Sequence, residues 1–215
     1  MVGLRYILII LTGILMAAFF INEAMADLGI RPAMVGLLTE NQKEFYKNYS
    51  KALISPRGVI TTSEQPDISI GGSLLFAGNR TSLELGGGIS GVDVVIGNAV
   101  STAVRSVPVF AHLLFNLMPA KNHSLIPYIG GGIVGHFTSV KDKPRSIDEL
   151  KIKPGFDIVG GIEFRLLKKR ISINLDGVYR FLKLDSKIGN VDLKSAGVKS
   201  DLSGLSARLS AGIYF

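Results

Sequence analysis

The sequence predicts an all-β protein, folded as an eight-stranded antiparallel up-and-down transmembrane β-barrel. Eight segments alternate apolar and polar residues with a period of two, which is typical of β-strands with one apolar and one polar face. Each segment has about the 9–11 residues that a tilted strand needs to cross a bilayer. The connections between the segments are alternately long and short, as in a barrel with long loops at one end and tight turns at the other.

The clearest of these segments is the last, residues 205–215. Every second residue is apolar, and the chain printed here stops on an aromatic residue: Leu205, Ala207, Leu209, Ala211, Ile213 and Phe215. The residues between them are small or polar, apart from Tyr214. A soluble edge strand would show the same alternation, so this segment alone leaves both a membrane and a soluble strand open.

The N-terminus favours export. One cation, Arg5, precedes an uncharged apolar run at residues 7–21, and Ala24, Met25 and Ala26 then form a small-x-small pattern before Asp27. These are the three parts of a secretory signal peptide. The apolar run is shorter than the roughly 20 residues of a membrane-spanning helix. We therefore expect residues 1–26 to be a cleaved signal peptide and residues 27–215 to be the barrel domain.

The other seven strands are predicted at residues 28–38, 67–77, 82–92, 107–118, 125–140, 155–167 and 171–184. Tight turns are expected at 78–80, 119–124 and 168–169. The remaining connections, 39–66, 93–106, 141–153 and 185–202, are interpreted as loops, although the apolar start of 93–106 could prolong the preceding strand. Phe45, Tyr49 and Leu53 have helical spacing and predict a short surface helix in the first loop. Pro32 is expected at an edge or a bulge.

Alternation does not say which face of the barrel points inward. A soluble barrel of the lipocalin type would place its apolar face inside. Here the polar face combines Gly and Ser with a few charges, which suits the narrow lumen of eight strands, whereas the apolar face is bulky and has aromatic residues near the strand ends. The residue volumes therefore favour an apolar face toward lipid, in a closed sheet without edges.

Several stretches together resemble a known superfamily. They are the segment Leu-Ile-Pro-Tyr-Ile-Gly-Gly-Gly at 125–132, Gly-Gly-Ile-Glu-Phe and Asp-Gly-Val-Tyr-Arg-Phe within 156–181, and the terminal Tyr214-Phe215. They resemble the small outer-membrane β-barrels, which include OmpA-like, OmpX-like and opacity-type proteins. The resemblance implies a bacterial outer membrane and a porin-like cell-surface barrel of Gram-negative type. It also implies that the barrel-assembly machinery reads the last strand, through Leu209, Ala211, Ile213, Tyr214 and Phe215.

Composition excludes several classes of site. The chain has a net charge of +7, and since Arg5 and Glu23 cancel, the predicted mature domain has the same net charge. Without cysteine there is neither a disulfide framework nor a thiolate metal site. No His, Asp and Glu cluster has metal-ligand spacing, and the glycine triplets lie within strands and do not form phosphate loops. We expect no cofactor, and no nucleic-acid binding in an exported barrel without a basic-aromatic array.

Histidine suggests one enzymatic alternative. His112 and His136 are both predicted to face the lumen, and Thr138 lies on the same face as His136. Some barrel enzymes that deacylate lipid A place base and nucleophile in a His-x-Ser pair on one strand. Here the partner is Thr138, and no carboxylate accompanies the pair on its strand. We therefore expect filler histidines and no catalytic residues. An enzyme that modifies lipid A, with His136 as base, and a narrow channel remain the alternatives.

Two predicted loops are rich in cations: Lys43, Lys47, Lys51 and Arg57 in the first, and Lys141, Lys143, Arg145, Lys151 and Lys153 in the fourth. Outside the cell they would meet phosphate-bearing lipopolysaccharide, whose headgroups attract positive charge. Acidic residues are interspersed, however, so an ordinary solvated loop surface is slightly favoured. Outer-membrane lipids and lipopolysaccharide are the expected partners of a monomeric barrel.

The lumen is predicted to hold paired charges. If Lys168-Lys169 is a two-residue hairpin turn, paired residue numbers sum to 337, which sets Asp157 across from Arg180 and Glu163 across from Asn174. Buried ions in a narrow lumen need partners. The predicted network comprises Arg31, Glu84, Asp157, Glu163, Arg165, Asp176, Arg180 and Arg208. We expect a non-enzymatic structural or surface-interaction protein with a charge-plugged lumen and long extracellular loops.

Overall fold

The computed structural model describes residues 25–54, 61–62, 68–96, 99–142, 147–185, 187–188, 191–195 and 197–215. Eight long strands contain most of them: β1 (Met25–Leu37), β2 (Ile68–Gly78), β3 (Thr81–Ile96), β4 (Ala99–Asn116), β5 (Leu125–Asp142), β6 (Ile147–Leu166), β7 (Ile171–Phe181) and β8 (Gly204–Tyr214). One helix, α1 (Glu40–Ile54), follows β1. Two-residue strands lie at Thr61–Thr62, Lys187–Ile188 and Val191–Asp192. Most of the predicted signal peptide lies outside the described residues.

The eight strands close into a barrel. Each strand from β2 to β8 pairs antiparallel with its neighbours in sequence, including β7 with β8 across their long connection. Strand β1 pairs with both β2 and β8. The pairing of β3 with β4 completes the ring. The predicted eight-stranded antiparallel up-and-down barrel is therefore confirmed.

Burial follows the predicted faces. Along β7 exposed and buried residues alternate, with Ile171, Ile173 and Leu175 outside and Ser172 and Asn174 inside. The same alternation runs through β8, where the apolar residues are again the exposed ones. The outer wall thus displays a continuous set of large apolar side chains, and the inner wall is polar.

The structure corrects two predicted loops. Residues 93–106 continue β3 and β4 almost to their connection, with Val92 paired to Val104 and Val95 paired to Val100. Residues 141–142 continue β5 and residues 147–153 belong to β6, with Lys141 opposite Asp148. Apolar and polar residues do not alternate in the sequence of these extensions, and for that reason the sequence predicts loops there. In the register, valine lies opposite valine in one hairpin and lysine opposite aspartate in the other, which are residue types that favour strand pairing.

The local backbone explains two further features. The register of β1 shifts between Ile30 and Ala33 against β8, and between Arg31 and Met34 against β2, which confirms a bulge at Pro32. The hairpin between β6 and β7 has the predicted register, with Asp157 opposite Arg180 and Phe156 opposite Phe181.

Helix α1 covers the end of the barrel where the long connections lie. Its side chains Phe45, Tyr46 and Tyr49 form an apolar cluster with the β7–β8 connection and its surroundings: Leu38, Leu182, Leu184, Leu193, Val198 and Leu202. The predicted surface helix is thus present, and its apolar side is buried. Within the described chain, no helix is both long and apolar enough to cross a membrane.

A capping box begins the helix. Thr39 Oγ1 accepts a hydrogen bond from the Gln42 backbone N–H at 3.1 Å, and Gln42 Oε1 accepts one from the Thr39 N–H at 3.0 Å. Thr39 Oγ1 also donates to the Leu202 carbonyl at 3.3 Å, which joins the start of the helix to the β7–β8 connection. We call α1 with residues 182–203 the cap.

Candidate functional site

The centre of the lumen is organised around Glu84 of β3. Its Oε1 accepts from Arg31 Nη1 and from Ser73 Oγ, both at 2.8 Å, and its Oε2 accepts from Arg208 Nη2 at 2.9 Å. His112 Nδ1 lies 3.5 Å from the same Oε2. Arg31 and Arg208 come from β1 and β8, so this one carboxylate ties strands from several parts of the barrel wall.

A second part of the network lies on β6 and β7, toward the cap. Arg180 donates from Nε and Nη2 to the two oxygens of Asp157, at 2.8 and 2.7 Å. Two parallel hydrogen bonds of this kind are the strongest arrangement in which arginine binds a carboxylate. His112 Nε2 lies 3.1 Å from Asp157 Oδ2. Because the other nitrogen of His112 faces Glu84, this imidazole joins Asp157 and Arg180 to the centre.

A third part extends toward the tight turns. Glu163 Oε1 accepts from Arg165 Nε at 2.5 Å and from the Tyr214 hydroxyl at 2.6 Å, and its Oε2 lies 3.6 Å from Arg31 Nη2. The Arg165 guanidinium stacks 4.2 Å above the Tyr214 ring and lies 3.8 Å from Asp27. Arg31 therefore bridges Glu84 and Glu163.

Asp176 of β7 completes the set. It accepts from Arg208 Nε at 2.6 Å, and the Tyr128 hydroxyl donates to its other oxygen. Asn174 Oδ1 accepts from Arg31 Nη2 at 3.0 Å, so the residue predicted only as the partner of Glu163 in register also binds the network.

The structure therefore brings the eight predicted charged residues into one lumen network. Four are arginines and four are carboxylates, so their charges balance: Arg31, Arg165, Arg180 and Arg208 against Glu84, Asp157, Glu163 and Asp176. Their ion-paired side chains are 0–14 % exposed. At this burial, bare charges would be strongly unfavourable, and mutual pairing is what makes the arrangement tenable.

Sequence reasoning missed the linking residues. His112 was expected to be a filler histidine, whereas it bridges two carboxylates and stacks on Phe110 with ring centroids 4.4 Å apart. Tyr128 and Tyr214 also bind carboxylates of the network, through hydrogen bonds to Asp176 and Glu163. The sequence offers one signal for such linking residues, a polar group on the lumen face of a strand. It does not identify their partners, because these lie on other strands of the barrel.

His136 has different surroundings. Its Nε2 hydrogen-bonds Ser106 Oγ, and neither its Nδ1 nor Thr138 Oγ1 has a partner among the described residues. The ring is only 2 % exposed and lies inside the barrel. A cavity of about 60 Å³ lies between the cap and the network, with His136, His112, Asp157 and Arg180 in its wall. It suits a few water molecules better than an acyl chain.

The residues predicted to form the assembly signal divide between the two faces. Leu209, Ala211, Ile213 and Phe215 point outward, whereas Tyr214 is buried and bound to Glu163. The outward residues would face lipid in a bilayer. Tyr214 has a structural role in the lumen.

The cations of the two predicted basic loops lie in a helix, in a strand or outside the described residues. Lys43 pairs with Glu40 at 2.9 Å on α1, and Lys151 and Lys153 lie within β6, where Lys153 pairs with Asp185 at 2.5 Å. Arg57, Lys143 and Arg145 lie outside the described residues, and Lys51 is described only in its backbone. Over the described part of the chain, no group of three or more His, Cys, Asp or Glu residues could hold a metal ion.

Comparisons with solved structures agree with this architecture. The outer-membrane protein OprG of Pseudomonas aeruginosa superposes with a TM-score of 0.55 at 15 % identity, over 89 % of this chain and 97 % of that one. The N-terminal barrel domain of Pseudomonas aeruginosa OprF gives 0.51 at 11 % identity, over 89 % and 99 %. Neisserial surface protein A gives 0.50 at 14 % identity, over 87 % and 94 %.

Neither the protein-family models nor the curated proteins include a match to this chain. The evidence from comparison is thus structural, and the proteins that share the barrel are bacterial outer-membrane proteins. The chain has the fold of the small eight-stranded outer-membrane β-barrels.

Proposed function

We propose that the chain is a non-enzymatic integral protein of the bacterial outer membrane, of structural or surface-interaction type. Residues 1–26 would direct export and be removed, and residues 27–215 would form the membrane domain. The outward apolar wall supports this location, because such a wall is stable against lipid and unfavourable in water. The barrel-assembly machinery would act on the last strand, and the closed sheet suits a monomer.

A balanced network of buried ion pairs in the lumen is the observation that carries this proposal. The balanced network spans the lumen from Asp157 near the cap to Arg165 near the tight turns, and the cap covers one end. A stable ion-pair network of this kind obstructs steady ion flow. The specific work of the protein is then assigned to surfaces outside the lumen, above all the cap and the extended hairpins, which would face lipopolysaccharide and the cell exterior.

The two alternatives find less support. A lipid A-modifying enzyme needs a base that an acyl chain can reach, and the His136 ring lies inside the barrel beside a small cavity. A narrow channel would need the arginine–carboxylate pairs to open. We therefore rank both below the structural or surface-interaction role.

Reconstitution tests the proposal directly. Outer-membrane fractions should contain a heat-modifiable folded band whose N-terminal residue is Asp27. In planar bilayers the folded protein should show no large, persistent conductance. A steady open pore would favour the channel, and loss of an acyl chain from lipid A after incubation, measured by mass spectrometry, would favour the enzyme.

A further inference from the structure

The tight-turn end of the barrel carries a concentration of positive charge. Three turns contribute five basic side chains to its surface: Arg80, Lys121, Lys168, Lys169 and Arg170. Among the described residues at this end, Asp27 is the one acidic side chain with substantial exposure, and Glu163 is buried within the lumen. The surface is therefore strongly cationic, and we call it the basic rim.

At the opposite end, part of the positive charge of the described residues is paired with acidic side chains. There, cations of the cap and neighbouring strands pair with acids: Lys43 with Glu40, Lys153 with Asp185, and Lys199 with Glu44.

The backbone of one turn gives independent evidence. Leu167, Lys168 and Lys169 have φ values of 46°, 56° and 70°. Two-residue hairpins with positive φ at both central positions strongly favour Asn-Gly, because other side chains are strained there. Two lysines occupy these positions instead. Turn propensity does not explain the two lysines at these positions.

The turns also enclose a hollow. A depression of about 360 Å³ lies between them. Its wall includes the cations Lys121, Arg165, Lys168 and Arg170 together with Tyr214 and the single carboxylate of Asp27. Lys169 Nζ donates to the backbone carbonyls of Ala120 and Lys121, which fixes the two turns together. The hollow is large enough for a phosphate diester with its glycerol.

Apolar side chains sit directly beside these cations. Leu167 and Phe215 are 70 % and 73 % exposed, and Leu117 and Met118 are also exposed on the wall next to the turns. In a bilayer such residues mark the edge of the hydrocarbon layer. The cations of the basic rim then lie at the depth of the lipid headgroups.

We propose that the basic rim binds the phosphate headgroups of anionic phospholipids in the leaflet that surrounds the tight turns. This inference rests on the proposed membrane location. Positive side chains beside exposed apolar residues attract anionic lipids electrostatically, and the hollow between the turns supplies a seat for one headgroup. The barrel would thereby select its lipid neighbours on the side opposite the cap.

Lipid selectivity in vesicles tests the inference. The protein is folded into phosphatidylcholine vesicles with trace spin-labelled phosphatidylglycerol or spin-labelled phosphatidylcholine, and electron spin resonance measures the motionally restricted fraction of each. Wild type should restrict phosphatidylglycerol preferentially. Because salt screens the attraction between exposed charges, 0.5 M salt should reduce this preference. Equal fractions of the two labels at low salt would overturn the inference.

A double variant, Lys121→Gln/Lys168→Asn, separates charge from structure. Asn tolerates the left-handed backbone at position 168, and Lys169 keeps its bonds between the turns. We expect unchanged folding and a preference lowered by about fivefold for each cation removed. The matched control, Lys183→Gln/Lys194→Gln, removes two exposed lysines near the cap and should leave the preference intact.

The outcomes distinguish the two proposals. Wild-type protein that folds in vesicles without selectivity, or a control that loses as much preference as the double variant, overturns the lipid site alone. Wild-type protein that fails to insert into any bilayer overturns the membrane location and the lipid site together.

Discussion

Asp157 on β6 receives two hydrogen bonds from Arg180 on β7, at 2.8 and 2.7 Å, directly across the hairpin pair. His112 approaches the same carboxylate at 3.1 Å from β4. The pair therefore joins two adjacent strands, and the histidine connects it to the rest of the lumen.

Breaking this pair should destabilise the barrel. Asp157→Ala leaves Arg180 without its bidentate partner, and Arg180→Ala leaves a buried carboxylate with His112 alone. Each change should lower the free energy of unfolding by about 3–5 kcal/mol. The double variant should cost less than the sum, since it leaves no buried charge of this pair unpartnered. Urea unfolding from vesicles measures all four proteins.

An exposed ion pair provides the control for this cycle. Glu44 and Lys199 lie 2.8 Å apart on the cap, with 41 % and 60 % of their side chains exposed. Their coupling should be at most about 1 kcal/mol. Strictly additive effects at Asp157 and Arg180 would show that water, and not the pair, solvates these groups.

Close approach of two strands should make Gly132 sensitive to substitution. A Cβ atom there would lie 1.9 Å from the Ala111 carbonyl oxygen, so β4 and β5 would have to separate locally. Gly132→Ala should therefore cost about 1–3 kcal/mol of unfolding free energy. At Gly160, on β6, the nearest atom is 4.0 Å away. Equal losses for Gly132→Ala and Gly160→Ala would contradict the close approach.

The cap should loosen when its capping box is removed. Thr39→Ala removes the acceptor for the Gln42 N–H and the donor to Leu202, at a cost of about 0.5–2 kcal/mol. Amide hydrogen exchange should accelerate in α1 and change little in β5 and β6. Thr39→Ser keeps the hydroxyl and should preserve protection, and similar exchange in the Ala variant and wild type would argue against the cap.

The sequence predicts strand faces and one register well, for physical reasons. A period of two sets Ile173 and Asn174 on opposite faces, and the bulk of the apolar face then predicts that Ile173 lies outside. A two-residue turn leaves one register for β6 and β7. The extensions of β3 and β4 lack such a signal, because apolar and polar residues do not alternate in their sequence.

Contacts across the lumen were beyond sequence reasoning. Arg31 and Glu84 lie on β1 and β3, which are not neighbours, and meet only because the barrel's tilt and stagger bring them to the same height. The same geometry brings His112 between Glu84 and Asp157. Residue types on the polar face indicated charges in the lumen, whereas their pairing depends on the closed barrel.

Phe215 should matter more for assembly than for stability. Its backbone N–H donates to the Leu28 carbonyl at 2.9 Å, which a substitution retains, and its ring is exposed on the outer wall. Phe215→Lys places a charge near the membrane interface, where the cost is about 0–1 kcal/mol. If the assembly machinery reads this residue, the variant should show a reduced folded yield in cells but near-normal unfolding in vesicles.

Leu117→Lys adds the same charge at another exposed site near the tight turns and serves as the control. Normal outer-membrane levels of Phe215→Lys, or an equal loss for Leu117→Lys, would count against a specific signal at the end of β8.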